Sequence, residues 1–130
     1  MNVTQVSVFL ENQPGRLAYL LKVLSDAGVN LRAMSVADTS EFGIVRVIVD
    51  DAEKAVEAIH EAGMTASRTE VLRAEIPDEP GGLANAIIKP LSEAGVNIEY
   101  TYAYSETTET SAIVVLKVDD LKAANAALAK

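Results

Sequence analysis

Two pairs of adjacent aspartates, Asp50-Asp51 and Asp119-Asp120, are the first residues to weigh for metal chemistry. Each pair sits between a strand-like run and a helix-like run, where a carboxylate caps the coming helix, and no spacing of His, Asp and Glu resembles a hard-metal cage. His60 is the only histidine, late in a helical pattern, where a solvated or half-packed ring is the ordinary case. The serines have no base in view, and cysteine is absent, so there is no thiol nucleophile, thiolate metal site or disulfide framework. No enzyme activity, metal or cofactor is expected. What remains is anion chemistry. Residues 11–17 read ENQPGRL and residues 77–83 read PDEPGGL. Pro at a first helical turn costs no hydrogen bond, and Asn12 or Asp78 can cap from just before it. Gly15 and Gly81 leave the backbone uncovered at the helix start, where bare amides and the positive helix end suit a carboxylate. The Lys of a phosphate loop and the GxGxxG of a dinucleotide site are both missing.

The charge balance narrows the partners. The chain carries 19 carboxylates against 11 Lys and Arg, a net charge of -8, and both halves are acidic. Without a basic tail or cluster, nucleic acid and anionic membrane are excluded as partners. No basic segment leads into a long apolar run, and nothing approaches ~18 consecutive apolar residues, so a soluble cytoplasmic protein is expected.

The two quoted stretches belong to a larger repeat. LENQPGRLA (10–18) faces IPDEPGGLA (76–84), DAGVNL (26–31) faces EAGVNI (93–98), and GIVRVIVDDAEKAVEAI (43–59) faces AIVVLKVDDLKAANAAL (112–128). The offset grows from 66 to 67 to 69, so the second copy carries one extra residue before Gly95 and two more in its middle turn. Three ordered blocks mark an internal duplication. In copy one, Gln5–Leu10 reads as a strand, and Leu17, Leu20, Leu21 and Leu24 form a helical stripe that ends at Gly28. Asn30–Ala37 and Phe42–Val49 read as a hairpin across the polar turn 38–41. Asp50 or Asp51 then caps a helix that buries Ala52, Ala55, Val56 and Ile59, Gly63 stops it, and Thr65–Leu72 is a strand. Copy two repeats the order with strands Val71–Ile76, Val96–Tyr104 and Ser111–Val118. Its first helix contains Pro90, which removes a helical hydrogen bond and predicts a kink or bulge that the extra residue accommodates.

The unit is thus β-α-β-β-α-β. The expected fold is α+β and ferredoxin-like, with two tandem modules, 1–70 and 71–130, antiparallel sheets and helices on one face. No flexible linker separates the copies. The second copy lacks its last strand, so either the chain is cut short there or another edge fills the vacant sheet position. Tyr100, Tyr102 and Tyr104 alternate along one strand and share a face, with Arg32, Met34 and Val36 on a similar register in copy one. That row reads as a partner surface, as one wall of a ligand pocket, or as packing, and Glu99 beside it can pair with a cation.

The pattern of a short strand, D/N-x-P-G-x-L, an amphipathic helix and GVN(L/I) resembles the ACT domain, a small ligand-sensing module. The resemblance spans nearly the whole chain as a tandem pair, as in stand-alone bacterial and archaeal proteins with no attached enzyme. It implies binding of a free amino acid, homodimers, and possible action on a metabolic enzyme. Carried onto this chain, it nominates Asn12, Gln13, Gly15, Arg16, Leu17, Asn30 and Leu31. In the second copy it nominates Asp78, Glu79, Gly81, Gly82, Leu83, Asn97 and Ile98. Amides of 15–17 or 81–83 would hold the α-carboxylate, and a side chain near Asp78 or Asn97 the α-ammonium. Asn12 stands where Asp is common, so the two sites are unequal. A second reading is an assembly module that dimerises through the same surfaces without ligand.

Overall fold

Buried Val6, Val8 and Leu10 alternate with less buried neighbours, and this two-residue period makes the first segment a strand. The computed structural model describes residues 1–38, 42–107 and 111–129, with nothing said of the side chains of residues 38, 106 and 107. Its elements are β1 (Asn2–Glu11), α1 (Arg16–Asp26), β2 (Leu31–Asp38), β3 (Phe42–Val49), α2 (Ala52–Glu61) and β4 (Thr65–Pro77). A π-helical segment (Ala84–Ile88) then runs into α3 (Lys89–Glu93), followed by β5 (Ile98–Thr107), β6 (Ser111–Val118) and α4 (Leu121–Leu128). Residues 39–41 of the polar turn expected at 38–41 lie outside the described residues.

Two separate open ferredoxin-like sheets do not form. The strands join in one closed order, β1-β3-β2-β5-β6-β4, a six-stranded barrel that draws on both copies. The physical reason lies at the join. The two strands expected at Thr65–Leu72 and Val71–Ile76 are one uninterrupted strand of 13 residues, β4, with no turn residue to end the first copy's sheet. Closure also removes the exposed edges that an open sheet would have to protect.

The chain divides into two compact units. The N-terminal unit is Thr4–Thr69. In it β3 pairs antiparallel with both β1 and β2, with Val6 opposite Val47 and Met34 opposite Val47. One sheet face carries Val6, Val8, Leu10, Val45 and Val47, which pack with Leu20 and Leu24 of α1 and Ala55, Val56 and Ile59 of α2. The C-terminal unit is Glu70–Lys130 together with Met1–Val3. There β6 pairs with β4 and β5. Leu72, Ile76, Val114, Leu116 and Val118 pack with Ile87, Leu91 and Ala124.

The chain's own first residues lie along β4 of the C-terminal unit. Arg73 N donates to Met1 O at 2.7 Å and the Met1 ammonium to Arg73 O at 3.4 Å, the reciprocal exchange of an antiparallel pair. Asn125 Nδ2 on α4 donates to Asn2 Oδ1 at 2.7 Å, tying the last helix to that segment.

The irregularity expected around Pro90 is present. The helix before it is wound as π, with Lys89 N donating five residues back to Ala84 O. A π turn is one residue inserted into an α-helix, and the repeat offset rises by that one residue over this stretch. Pro90, with no N–H to give, sits directly after it.

Candidate functional site

The two PG loops have the same backbone plan. After β1, Arg16 N donates to Gln13 O at 3.3 Å and Tyr19 N to Gly15 O at 3.0 Å. After β4, Gly82 N donates to Glu79 O and Asn85 N to Gly81 O, each at 2.9 Å. Gly15 and Gly81 both need glycine, with φ of 87° and 79°. Each is the residue from which the helix's first hydrogen bond is accepted. Neither Asn12 nor Asp78 is the capping residue, because Gly15 holds that place in α1 without any side-chain bond. The amide of Arg16 is consumed by the turn. The donors left without an intrahelical acceptor are those of Leu17 and Ala18 in one loop and Leu83 and Ala84 in the other. Ala18 and Ala84 escaped the sequence reading, which counted from the glycine rather than from the first closed hydrogen bond.

The space around the loops differs. Nothing lies within 4 Å of where a Cβ at Gly15 would stand. Asn85 Nδ2 lies 3.1 Å from the same point at Gly81, and a Cβ at Gly82 would collide with the Pro77 carbonyl oxygen. The N-terminal loop is therefore open, and the C-terminal loop is filled by its own chain. Arg16 stands at the open loop, 3.9 Å from Glu11, with its guanidinium 5.5 Å from the centre of the Tyr19 ring. Arg16 Nε is buried without a hydrogen-bond partner among the described residues. Asn12, Gln13, Asp78 and Glu79 are exposed, and Leu17 and Leu83 are half-buried.

The second signature lies elsewhere. Asn30 and Leu31 follow the far end of α1, roughly 16 Å along an 11-residue helix from Gly15. Asn97 and Ile98 likewise follow the far end of α3. Within a unit the nominated residues thus form two places, not one. In the N-terminal unit, Leu21, Leu24, Ser25, Gly28, Val29, Asn30 and Leu31 line an open groove of about 450 Å³. Its backbone donors at residues 28, 29 and 30 are engaged. Gly28 N and Val29 N close the helix on Ser25 O and Leu24 O, the Schellman arrangement, and Asn30 N donates to Asp50 Oδ1 at 2.9 Å.

That last bond explains the paired aspartates. Asp50 accepts from Asn30 N and returns its own N–H to Asn30 O at 3.1 Å; Asp119 and Asn97 repeat this at 2.9 and 3.1 Å. Asp51 and Asp120 cap the following helices through Lys54 N at 3.1 Å and Ala123 N at 3.0 Å. Both carboxylates of each pair are engaged, and no metal-binding cluster stands among the described residues. His60 Nε2 donates to Ala66 O at 3.2 Å, which ties α2 to β4.

The tyrosine row is half-buried on the sheet face away from α3 and α4. Tyr102 stands opposite Val115 and Tyr100 opposite Lys117, while the core-facing Leu116 is opposite Thr101. The Tyr100 and Tyr102 rings stack at 6.4 Å, and Arg73 lies 5.3 Å over Tyr104. The expected register with Arg32, Met34 and Val36 does not hold. Met34 and Val36 pair with core-facing Val47 and Val45, so the equivalents of the tyrosines are Ala33, Ser35 and Ala37. The offset of 67, not the alternation alone, assigns the face. Among the described residues no helix is long and apolar enough to cross a membrane.

A comparison with curated proteins finds no match. A crystal structure of a Bacteroides thetaiotaomicron protein is similar at 35% identity, with 99% of this chain and 88% of that chain covered and a TM-score of 0.92. The fold is also shared with the regulatory subunit of aspartate kinase from Thermus thermophilus in a ligand-free form, at 20% identity, TM-score 0.70 and coverage of 97% and 88%. The same subunit from Thermus flavus is similar at 21% identity and TM-score 0.68, with the same coverage. The family model for an ACT domain pair matches residues 1–129, and the chain therefore belongs to the ACT domain pairs, regulatory and non-catalytic modules with a generic amino-acid-binding role.

Proposed function

We propose that this chain senses a free amino acid at the loop Asn12–Leu17 of the N-terminal unit and passes the signal to a metabolic enzyme or through its own assembly. One observation carries the choice of loop: the helix start at Gly15 is open, whereas its counterpart at Gly81 and Gly82 is filled by Asn85 and the Pro77 carbonyl. The α-carboxylate accepts from the amides of Leu17 and Ala18, favoured by the positive end of α1. Arg16, whose Nε has no acceptor of its own, supplies the cation beside them. Asn12 and Gln13, at the loop's entrance, face the α-ammonium. The groove at Asn30 and Leu31 offers apolar walls, with the amides of residues 28–30 already engaged, and one amino acid cannot reach both places in one unit. Action on an enzyme is supported by the fold shared with regulatory subunits of aspartate kinase.

The test is thermal melting of the full chain against each of the twenty amino acids at millimolar concentration. A ligand that binds only the native state stabilises it by about 2.7 kcal/mol at a hundredfold excess over Kd. The expected result is a raised transition with one or a few amino acids, one equivalent bound per chain by calorimetry, and loss of the shift in Arg16→Ala but not in Asp78→Ala. A flat response to all twenty would move the reading to assembly without ligand.

A further inference from the structure

The duplication provides an internal control, because a side chain that folding requires to be polar is polar in both copies. Gln5 fails that comparison. Among the described residues it is the one polar side chain that is buried, at 0% exposure, and the C-terminal unit has buried Val71 at its place. Burying an amide costs free energy that a valine does not incur. Gln5 Nε2 donates to Ser7 Oγ at 3.3 Å. Ser7 stands opposite Arg46, and Arg46 opposite Ser35, so an arginine is flanked by a serine on each neighbouring strand, on the sheet face away from α1 and α2. The same row of the C-terminal unit reads Arg73, Val115 and Tyr102, with Val115 buried at its centre. Valine thus serves the fold at the places where Gln5 and Arg46 stand.

We infer that this row binds the carboxylate of a small aryl-substituted carboxylic acid, at a site that shares no residue with the Asn12–Leu17 loop. The donors set the anion. A guanidinium grips the two oxygens of a carboxylate in one plane, and Ser7, having accepted from Gln5, still has its own proton to give. Arg46 already has a partner, and five N–H donors suffice for that partner and a ligand together. One arginine on a chain of net charge -8 suits a singly charged group and not a phosphate dianion. The row itself carries no negative charge, so an α-ammonium gains no ion pair in it. Burial along the strands sets the tail. On one side of the row Gln5, Ala33 and Ile48 are 0%, 3% and 3% exposed and close the way. On the other side, roughly 7 Å along the strands, Phe9 stands opposite Ile44. Phe9 is 52% exposed. A ring about two or three carbons from the carboxylate reaches Phe9 and meets an aromatic face. The place of Phe9 is taken by Glu75 in the C-terminal unit, so the apolar end of the site also belongs to one copy alone.

The experiment is calorimetric titration of the full chain with hydrocinnamate up to about 10 mM, with hydrocinnamamide as the neutral control. We expect one equivalent of the acid bound per chain and no binding of the amide. Arg46→Val, which installs the other unit's residue, is expected to weaken binding by roughly tenfold or more, the loss of a charge-assisted contact. Gln5→Val is expected to weaken it as well while melting no lower than wild type. Arg16→Ala, at the loop proposed to sense an amino acid, is expected to leave the constant unchanged, so the two sites fail independently. Absence of binding, equal binding of the amide, or an unchanged constant in Arg46→Val would overturn the inference. Loss of binding in Arg16→Ala would do the same, by moving the acid to the loop. Should Arg46→Val lose its fold, Arg46→Lys carries the test. It keeps the charge without the fork that holds both oxygens, is expected to weaken binding by roughly threefold or more, and refutes the inference if the constant stays the same.

Discussion

The helix-facing side of the sheet is nearly the same in the two units, and the opposite side is not. Leu24 and Leu91, Val45 and Val114, and Val47 and Leu116 occupy equivalent buried places, and the Asn–Asp clip recurs within 0.1 Å. On the other side, Ala33 and Ser35 face the place of Tyr100 and Tyr102, Gln5 that of Val71, and Phe9 and Phe42 that of Glu75 and Ser111. Two helices resting on three strands admit few solutions of shape and volume, so duplication preserves that face. The opposite face is packed as well, with Gln5, Ala33, Val71 and Val115 each buried, yet there the two copies carry different side chains. The open loop at Gly15 and the filled loop at Gly81 fall on this second side of the ledger.

The comparison is broken most sharply at the loops. Gly82→Ala drives a Cβ into the Pro77 carbonyl and is expected to lower stability by about 3 kcal/mol, whereas Arg16→Ala, at the equivalent position, is expected to cost less than about 1 kcal/mol. Urea unfolding of both variants checks this, and equal losses would mean the loops are sterically alike. Next in size is the clip. Asp50→Ala and Asp119→Ala each remove an exposed hydrogen bond to an Asn N–H and are expected to cost about 0.5–1.5 kcal/mol by the same measurement. A clear inequality between them would show that the shared face is not energetically shared. The smallest effect is expected at Pro90→Ala, within about 1 kcal/mol, with the π segment kept. The inserted residue, rather than the proline, obliges the helix to widen, and amide exchange at Lys89 reads whether its bond to Ala84 persists.

Much of this was available from residue order. The periods of 2 and 3.6 locate the strands and helices to within a few residues, since they follow from which side chains must leave water. The repeat offsets anticipate the irregular helix around Pro90. Capping was half visible: Asp51 and Asp120 cap as expected, but the partners of Asp50 and Asp119 are about 20 residues away and carry no local signal.

The sequence by itself determined that the chain is a duplicated β-α-β-β-α-β unit with two glycine-opened helix starts, because local backbone preference and the spacing of apolar residues suffice for that. Only the tertiary structure decided that β4 runs unbroken between the copies, that the strands close into a barrel, that Met1–Val3 join the C-terminal unit, and that the two signatures of a unit lie at opposite ends of a helix. Those outcomes depend on hydrogen bonds between residues as far apart as Met1 and Arg73, and no window along the chain contains both partners.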